Sequence, residues 1–200
     1  MNAHIETETK LYCPDLSDVA RRLVVAGAQV SAPRVYERNI RYENSDESLT
    51  ANGIVVRMRQ DSRSRLTYKG PSQAADGIMQ RYEAEVEVSD FDTMHHILDK
   101  LGYHPHMIYE KYRTSYVLDG AEIVLDEMPY GNFVEIEGEA AVIEALVQKL
   151  ELSDAPRYGR SYTGLFENIR QHLKLDFTDL TFDNFEGIDV PESAFTAMDS

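Results

Sequence analysis

Charged side chains stand two residues apart in several short segments that otherwise favour β-strands. The first such segment, residues 4–13, places Glu6, Glu8 and Lys10 at alternate positions with threonines between them. Residues two apart on a strand point to the same side of a sheet. One face of this strand is therefore fully charged, and a sheet built from such strands must meet either water or compensating ions on that face.

The same alternation recurs along the chain, and the signs of the charges segregate. The charged pairs and rows of equal parity are Arg57/Arg59, Arg65/Lys69, Arg81/Glu83/Glu85/Glu87, Lys111/Arg113 and Glu135/Glu137. In several of these segments the opposite parity is apolar, as in Val134 and Ile136. A single charged face is most simply a solvated surface, but like neighbours destabilise a sheet. Taken together, the pairs predict a face whose carboxylates bind a divalent cation and whose Arg and Lys bind phosphate oxygens.

The order of predicted elements indicates an α+β fold in which an eight-stranded antiparallel sheet, curled or closed, has helices outside. The predicted strands are 4–13, 35–42, 54–60, 64–70, 79–88, 106–118, 121–128 and 132–137. The predicted helices are 15–27, 90–102, 139–151 and 161–173, with Asp15 or Ser17 and then Asp90 as N-caps. Residues 43–53 are expected to be a turn-rich connection and residues 70–77 a flexible loop.

Composition narrows the classes of partner. The formal net charge of −15 argues against a surface for duplex nucleic acid, because such surfaces are cationic. The lone Cys13 excludes an internal disulfide. No segment approaches the roughly 18 apolar residues of a membrane span, and the first residues carry no signal-peptide pattern. We therefore expect a cytoplasmic protein without membrane contact; its oligomeric state stays open, with a homodimer as one option.

The domain prediction is a single domain over residues 1–175 and an acidic tail over 176–200. The tail combines aspartates and glutamates with phenylalanines. Two alternatives stay open at this point: the tail either docks by its aromatic rings or remains mobile.

The ordered motifs resemble those of the CYTH domain, also called the triphosphate tunnel metalloenzyme family, which is named after class IV adenylate cyclases and thiamine triphosphatase. The resemblance runs over residues 4–170. It is carried by IETETK, SLTANGIVVRMR, LTYKG, RYEAEVE, LGYHPHMIYEKYRTSYVL, IVLDEMPYGNFVEIEG and RSYTGLF. The fold of that family is an eight-stranded antiparallel tunnel with helices packed outside, which agrees with the strand order above.

The resemblance implies a role for each charged pair. Mg²⁺ or Mn²⁺ would be bound by four carboxylates: Glu6, Glu8, Glu135 and Glu137. Asp126 would either join these metal ligands or brace them. The triphosphate would be contacted by Lys10, Arg57, Arg59, Lys69, Lys111 and Arg113. Glu8 and Lys10 are the implied catalytic residues, and Glu83, Arg81 and Arg160 are further candidates.

One region departs from the family pattern. Where members commonly carry an aspartate and then a tyrosine in the second strand, this chain has Asn39 and Arg41. A metal or bracing role is not expected there, and Arg41 becomes an additional candidate for a phosphate contact.

Three functions are compatible with these residues. The first is a triphosphatase acting on tripolyphosphate, ATP or thiamine triphosphate. The second is a class IV adenylate cyclase that converts ATP to cAMP and pyrophosphate, because LGYHPHMIYEKYR and RSYTGLF are most similar to the cyclase branch. The third is a non-catalytic polyphosphate- or nucleotide-binding module, against which the carboxylates argue, since pure anion binding needs no acids.

Overall fold

Eight antiparallel strands close into a barrel within the residues that the structure, a computed structural model, describes: 5–75 and 78–196. The strands are β1 (Ile5–Tyr12), β2 (Gln29–Glu43), β3 (Val55–Gln60), β4 (Ser64–Ala75), β5 (Ile78–Val88), β6 (His104–Leu118), β7 (Ala121–Met128) and β8 (Gly131–Glu137). Around the barrel they follow the order β1-β5-β4-β3-β2-β6-β7-β8, and β8 pairs with β1. The predicted fold class is confirmed.

The period-two pattern places the charged parity inside the barrel and the apolar parity outside. Glu8 is the register partner of Glu137, and Lys10 is that of Glu135. Between them in sequence, Thr9 is buried on the other face of β1. Because the barrel is closed, alternate side chains must point either into its interior or towards the packed helices.

Five helices lie outside the barrel in the described part of the chain. They are α1 (Leu16–Val25), α2 (Ser48–Ala51), α3 (Phe91–Lys100), α4 (Ala140–Lys149) and α5 (Tyr162–Leu173). Helices α1 and α4 bury their apolar sides with outward residues of β1, β7 and β8, while α3 covers part of β2 and β3. None of the described helices is long and apolar enough to cross a bilayer.

The predicted helix starts have the expected caps. Asp15 accepts hydrogen bonds from the backbone N–H groups of Ser17 and Asp18, and Asp90 accepts from Thr93. Ser161 caps α5 by accepting from the N–H of Gly164 at 3.1 Å. This cap fixes where α5 begins and thereby sets Tyr162 and Thr163 at the tunnel wall.

The loop predicted over residues 70–77 is wrong for 70–75, which continue β4; Asp76 and Gly77 lie outside the described residues. The register of β4 against β5 shifts between Lys69 and Ser72. A bulge accommodates Gly70 and Pro71, which sequence rules associate with strand ends. Two shorter differences concern β2, which begins at Gln29 instead of residue 35, and α2, a single turn inside the predicted connection.

The segment after α5 packs against the barrel, which decides between the two alternatives for the tail. Phe185 and Phe195 are buried among aromatic residues of β8 and α5, and Leu180 bridges to Tyr109 on β6. The Phe195 ring lies 5.0 Å from that of Tyr12, centroid to centroid. Residues up to Thr196 thus complete a hydrophobic core, while residues 197–200 lie outside the described chain. The domain boundary at residue 175 stays a prediction.

Candidate functional site

A cavity of about 830 Å³ occupies the interior of the barrel. Its lining includes ten of the eleven residues that the sequence predicted for the site: Glu6, Glu8, Lys10, Arg57, Arg59, Lys69, Lys111, Arg113, Glu135 and Glu137. The eleventh, Asp126, is fully buried behind the lining. The structure thus brings together side chains from strands distributed over the whole barrel.

Glutamates of three neighbouring strands face one another in a row. Glu137 on β8 is the register partner of both Glu8 on β1 and Glu122 on β7, and all three line the cavity. We call Glu8, Glu137 and Glu122 the carboxylate row. Burial, together with the charges of Glu6, Glu122 and Glu8, raises the pKa of Glu137 to about 7. Burial and the charge of Glu135 likewise raise the pKa of Glu8.

The donor chemistry of this row fits a hard divalent cation. Carboxylate oxygens are the ligands that Mg²⁺ and Mn²⁺ prefer, and the row places three carboxyl groups of neighbouring strands side by side in the cavity lining. Glu6 and Glu135 are bound to lysines instead, at 2.9 Å from Lys69 Nζ and 2.8 Å from Lys10 Nζ. Accordingly, no three histidine, cysteine, aspartate or glutamate side chains of the described residues converge into a preformed metal site. Metal binding would draw Glu6 or Glu135 partly away from its lysine.

Arginines of β3 form the opposite wall of the tunnel. Arg57 donates to the hydroxyl groups of Tyr109 and Thr67 at 3.1 and 3.0 Å. Arg59 lies 3.2 Å from Glu85 and 3.4 Å from Glu37. The Nε atoms of both arginines are buried donors without an acceptor among the described residues. An anion inside the tunnel would supply acceptors to this wall.

Lys10 and Arg113 meet at Glu135, which connects β1 and β6 to β8 inside the tunnel. Glu135 accepts from Lys10 Nζ at 2.8 Å and from Arg113 Nη2 at 2.7 Å. Burial alone would raise the pKa of Glu135, but Lys10 and Arg113 outweigh it and hold the pKa below its usual range. Lys10 is itself buried, so these contacts fix its ammonium group in one position.

Asp126 braces the cations from behind. Its carboxylate accepts from Arg113 Nε at 2.7 Å, from Lys111 Nζ at 3.1 Å and from the Tyr162 hydroxyl at 2.8 Å. A carboxylate with three such donors has little capacity left for a metal. Of the two roles that the sequence left open for Asp126, these contacts favour bracing.

Of the further candidates, Glu83 and Arg81 lie in the tunnel and Arg160 lies at the surface. Lys69 joins Glu6 and Glu83, at 2.9 and 2.5 Å. Arg81 lines the cavity and donates to the carbonyl oxygen of Gly70 at 2.7 Å. Arg160 is exposed, lies outside the cavity lining and donates to Asn168 on α5 at 3.3 Å.

The sequence did not lead us to predict three residues of the tunnel: Tyr162, Glu37 and Glu122. Tyr162 places its ring 4.5 Å from Lys10 Nζ, so it holds both Lys10 and Asp126. Glu37 is buried between Arg59 and Lys111, and its pKa falls to about 2 because these cations outweigh its burial. The alternation signal could have found Glu37 and Glu122, since they share parity with Arg41 and Asp126. Nothing in the periodicity of α5 marks Tyr162.

Comparisons with known proteins give a matching family and a relative of similar sequence. The family model for the CYTH domain matches residues 4–161. A candidate adenylate cyclase of Methanocaldococcus jannaschii is 28% identical over 150 residues, which are 74% of this chain and 84% of the relative.

Solved structures show the same fold. A candidate adenylate cyclase of Vibrio parahaemolyticus superposes with a TM-score of 0.73 at 22% identity, covering 83% of this chain and 99% of that chain. A Hippeastrum protein, described as a candidate adenylyl cyclase with a dominant triphosphatase activity, superposes with a TM-score of 0.60 at 15% identity and covers 81% of this chain and 95% of that one.

Proposed function

The chain belongs to the CYTH domain family, and we propose that its tunnel hydrolyses a triphosphate with the help of a divalent cation. The observation that carries this proposal is the sharing of one cavity by the carboxylate row and by two arginines, Arg57 and Arg59, whose buried Nε donors have no hydrogen-bond acceptor in the described part of the chain. A metal–triphosphate complex satisfies both sets, because the metal neutralises the row and the phosphate oxygens accept from the arginines. Members of this family are generally dependent on divalent metals.

In this proposal Glu8 and Glu137 would hold the metal together with Glu6 or Glu135 once these leave their lysines. When bound, Mg²⁺ or Mn²⁺ neutralises phosphate charge and lowers the pKa of a coordinated water. The residues of the chain bind and orient the substrate. Arg57, Arg59 and Lys69 fix the triphosphate along the tunnel, and Lys111 and Arg113 present donors that Asp126 has already oriented.

Hydrolysis at the terminal phosphorus requires a base that accepts a proton from water and a leaving group that accepts the electron pair of the broken P–O bond. The oxygen of water bonds to phosphorus, and the bridging P–O bond breaks with its electron pair going to the diphosphate. Lys10 and Arg113 stabilise the charge that develops on this leaving group, as preorganised donors do. Glu122, the member of the carboxylate row that holds no metal in this proposal, takes the proton of the water as a general base.

Incubation with Mg²⁺ or Mn²⁺ tests the proposal directly. The purified protein is supplied in parallel with tripolyphosphate, ATP and thiamine triphosphate, and orthophosphate, pyrophosphate and cAMP are quantified. We expect metal-dependent release of orthophosphate. The Glu8→Gln variant should lose this turnover and stay folded, whereas Glu144→Gln, which alters a half-exposed carboxylate paired with Arg157, should keep it.

Adenylate cyclase is the second candidate, favoured by the names of the Methanocaldococcus and Vibrio proteins. Cyclisation would use the same tunnel and differ in what the non-phosphate end of the substrate holds. Formation of cAMP with pyrophosphate from ATP would replace our first proposal with this one. Tight binding of triphosphate without turnover under either metal would instead support a binding module.

A further inference from the structure

Two arginines face each other inside the tunnel at the position where the chain departs from the family pattern. Arg41 on β2 is the direct register partner of Arg57 on β3, and both line the cavity. Like charges directly opposite each other on one face of a sheet are destabilising. The pairing is therefore costly in the empty tunnel and becomes favourable when two consecutive phosphoryl groups of one chain bind the two guanidinium groups, one on Arg57 and the next on Arg41.

Arg41 lacks the carboxylate that most tunnel cations have. Lys10, Lys69 and Arg113 each contact a glutamate or aspartate within 3 Å. The guanidinium of Arg41 instead donates from Nη1 to the hydroxyl of Thr163 at 2.8 Å, and no carboxylate of the described residues lies within ion-pair distance of it. Burial and the positive charge of Arg81 lower the pKa of Arg41, and the more distant charge of Glu43 only partly opposes this shift; an arginine nevertheless stays charged at neutral pH.

The surroundings of Arg41 are suited to phosphate. Arg81 also lines the cavity, and its positive charge acts on Arg41. Its guanidinium donates to the carbonyl oxygen of Gly70, and Glu6, Glu8 and Glu83 act on it through their charges. The start of α5 contributes the hydroxyl groups of Ser161 and Thr163 to the lining. Guanidinium groups and hydroxyl groups bind phosphate oxygens.

We propose that Arg41, with Arg81 and the first residues of α5, forms a subsite for a phosphoryl group beyond the three that the other cations hold. The preferred substrate class is then an inorganic linear polyphosphate of four or more phosphoryl groups. This inference rests on the proposed function, because it assigns the site of the first three phosphates to the same tunnel. Arg41 acts in it as a residue that sets specificity for chain length.

Isothermal calorimetric titration in the absence of divalent metal measures polyphosphate binding without hydrolysis, and it therefore tests the subsite independently of turnover. Wild-type protein and the Arg41→Gln variant are titrated with tripolyphosphate and with tetrapolyphosphate. We expect the wild type to bind tetrapolyphosphate about tenfold more tightly, the gain of one charge-assisted contact. Arg41→Gln should bring the two affinities to within about threefold while leaving the affinity for tripolyphosphate nearly unchanged. Arg41→Lys, which keeps the charge, should retain an intermediate preference.

Arg38→Gln is the matched control, because Arg38 lies on the same strand with the opposite parity and outside the cavity lining. It should bind both polyphosphates as the wild type does. The melting temperature of Arg41→Gln without ligand should equal or exceed that of the wild type, since Arg57 no longer faces a like charge. A lost preference then reflects the subsite and not unfolding.

The outcomes separate this inference from the proposed function. Equal wild-type affinity for the two polyphosphates overturns the subsite, even if tripolyphosphate is hydrolysed with Mg²⁺. Parallel weakening of both ligands by Arg41→Gln overturns it as well, because Arg41 would then serve the triphosphate itself. Selective tetrapolyphosphate binding without any hydrolysis upholds the subsite and removes the proposed enzymatic activity.

Discussion

Replacing Asp126 by asparagine should release the two cations that it braces. Asp126 is fully buried and accepts from Lys111, Arg113 and Tyr162. Removing one charge from a buried ion pair costs about 3–5 kcal/mol. We expect the lower end, about 3 kcal/mol, because Glu135 still contacts Arg113 and the amide oxygen still accepts one hydrogen bond.

The expected loss is large enough to measure by thermal and urea unfolding. With an unfolding entropy of about 2.1 cal/mol/K per residue, 3 kcal/mol lowers the melting temperature of a 200-residue chain by about 7 °C. Turnover of tripolyphosphate should also fall, by about tenfold or more in kcat/KM, because misplaced donors no longer meet the leaving group.

Glu127→Gln is the matched control for this experiment. Glu127 is the next residue on β7, and its carboxylate pairs with Arg34 in a solvent-exposed contact. Exposed pairs contribute about 0–1 kcal/mol, so this variant should change neither stability nor turnover appreciably. If Asp126→Asn is as stable as Glu127→Gln, the bracing of Lys111 and Arg113 by Asp126 is refuted.

Three further predictions concern the carboxylate row, the start of α5 and the tail. The pKa of Glu137 is raised from 4.5 to about 7, so the folded protein keeps a proton that the unfolded chain releases, and metal-free protein should lose stability as pH rises from 4.5 to 7. Glu137→Gln should flatten this dependence in urea titrations at the two pH values, and an unchanged slope would contradict the assignment. Tyr162→Phe removes the hydroxyl that donates to Asp126 and should lower kcat for tripolyphosphate more than it raises KM; a change in KM alone would indicate a binding role. Phe195→Ala should cost about 3–5 kcal/mol, since its ring is almost fully buried, whereas a freely moving tail would give no loss in denaturant midpoint.

The alternation of charge was sufficient to predict the inner face of the barrel because its cause is local. On a strand, parity alone decides the side to which a residue points, so Glu8, Arg57 and Glu135 could be assigned to one face from the sequence. The number of strands and their short connections predicted a sheet that is curled or closed, and the structure shows that it is closed. The same rule extends to Glu37 and Glu122, although their strands lack an adjacent like-charged pair to mark them.

The parts that could not be predicted depend on long-range packing. Tyr162 enters the tunnel because the Ser161 cap fixes where α5 begins and the barrel fixes where α5 lies, and neither constraint is visible in helical spacing. The course of β4 through Gly70 depends on pairing with β5 across a bulge. The docking of Phe185 and Phe195 has no periodic signature, since both sit in short turns that are ordered by their neighbours.

Glu8 lies far in the sequence from the other two members of the carboxylate row, and this has a consequence for how the protein is synthesised. Contacts between distant residues form late, because loop closure must precede any gain from them. On the ribosome, Glu8 therefore stays without its partners until residue 137 has emerged, and Phe195, which packs against Tyr12 at the end of the same strand, follows later still. The nascent chain consequently exposes its acids and arginines on unclosed strands, and the tunnel closes only when translation of this region is complete.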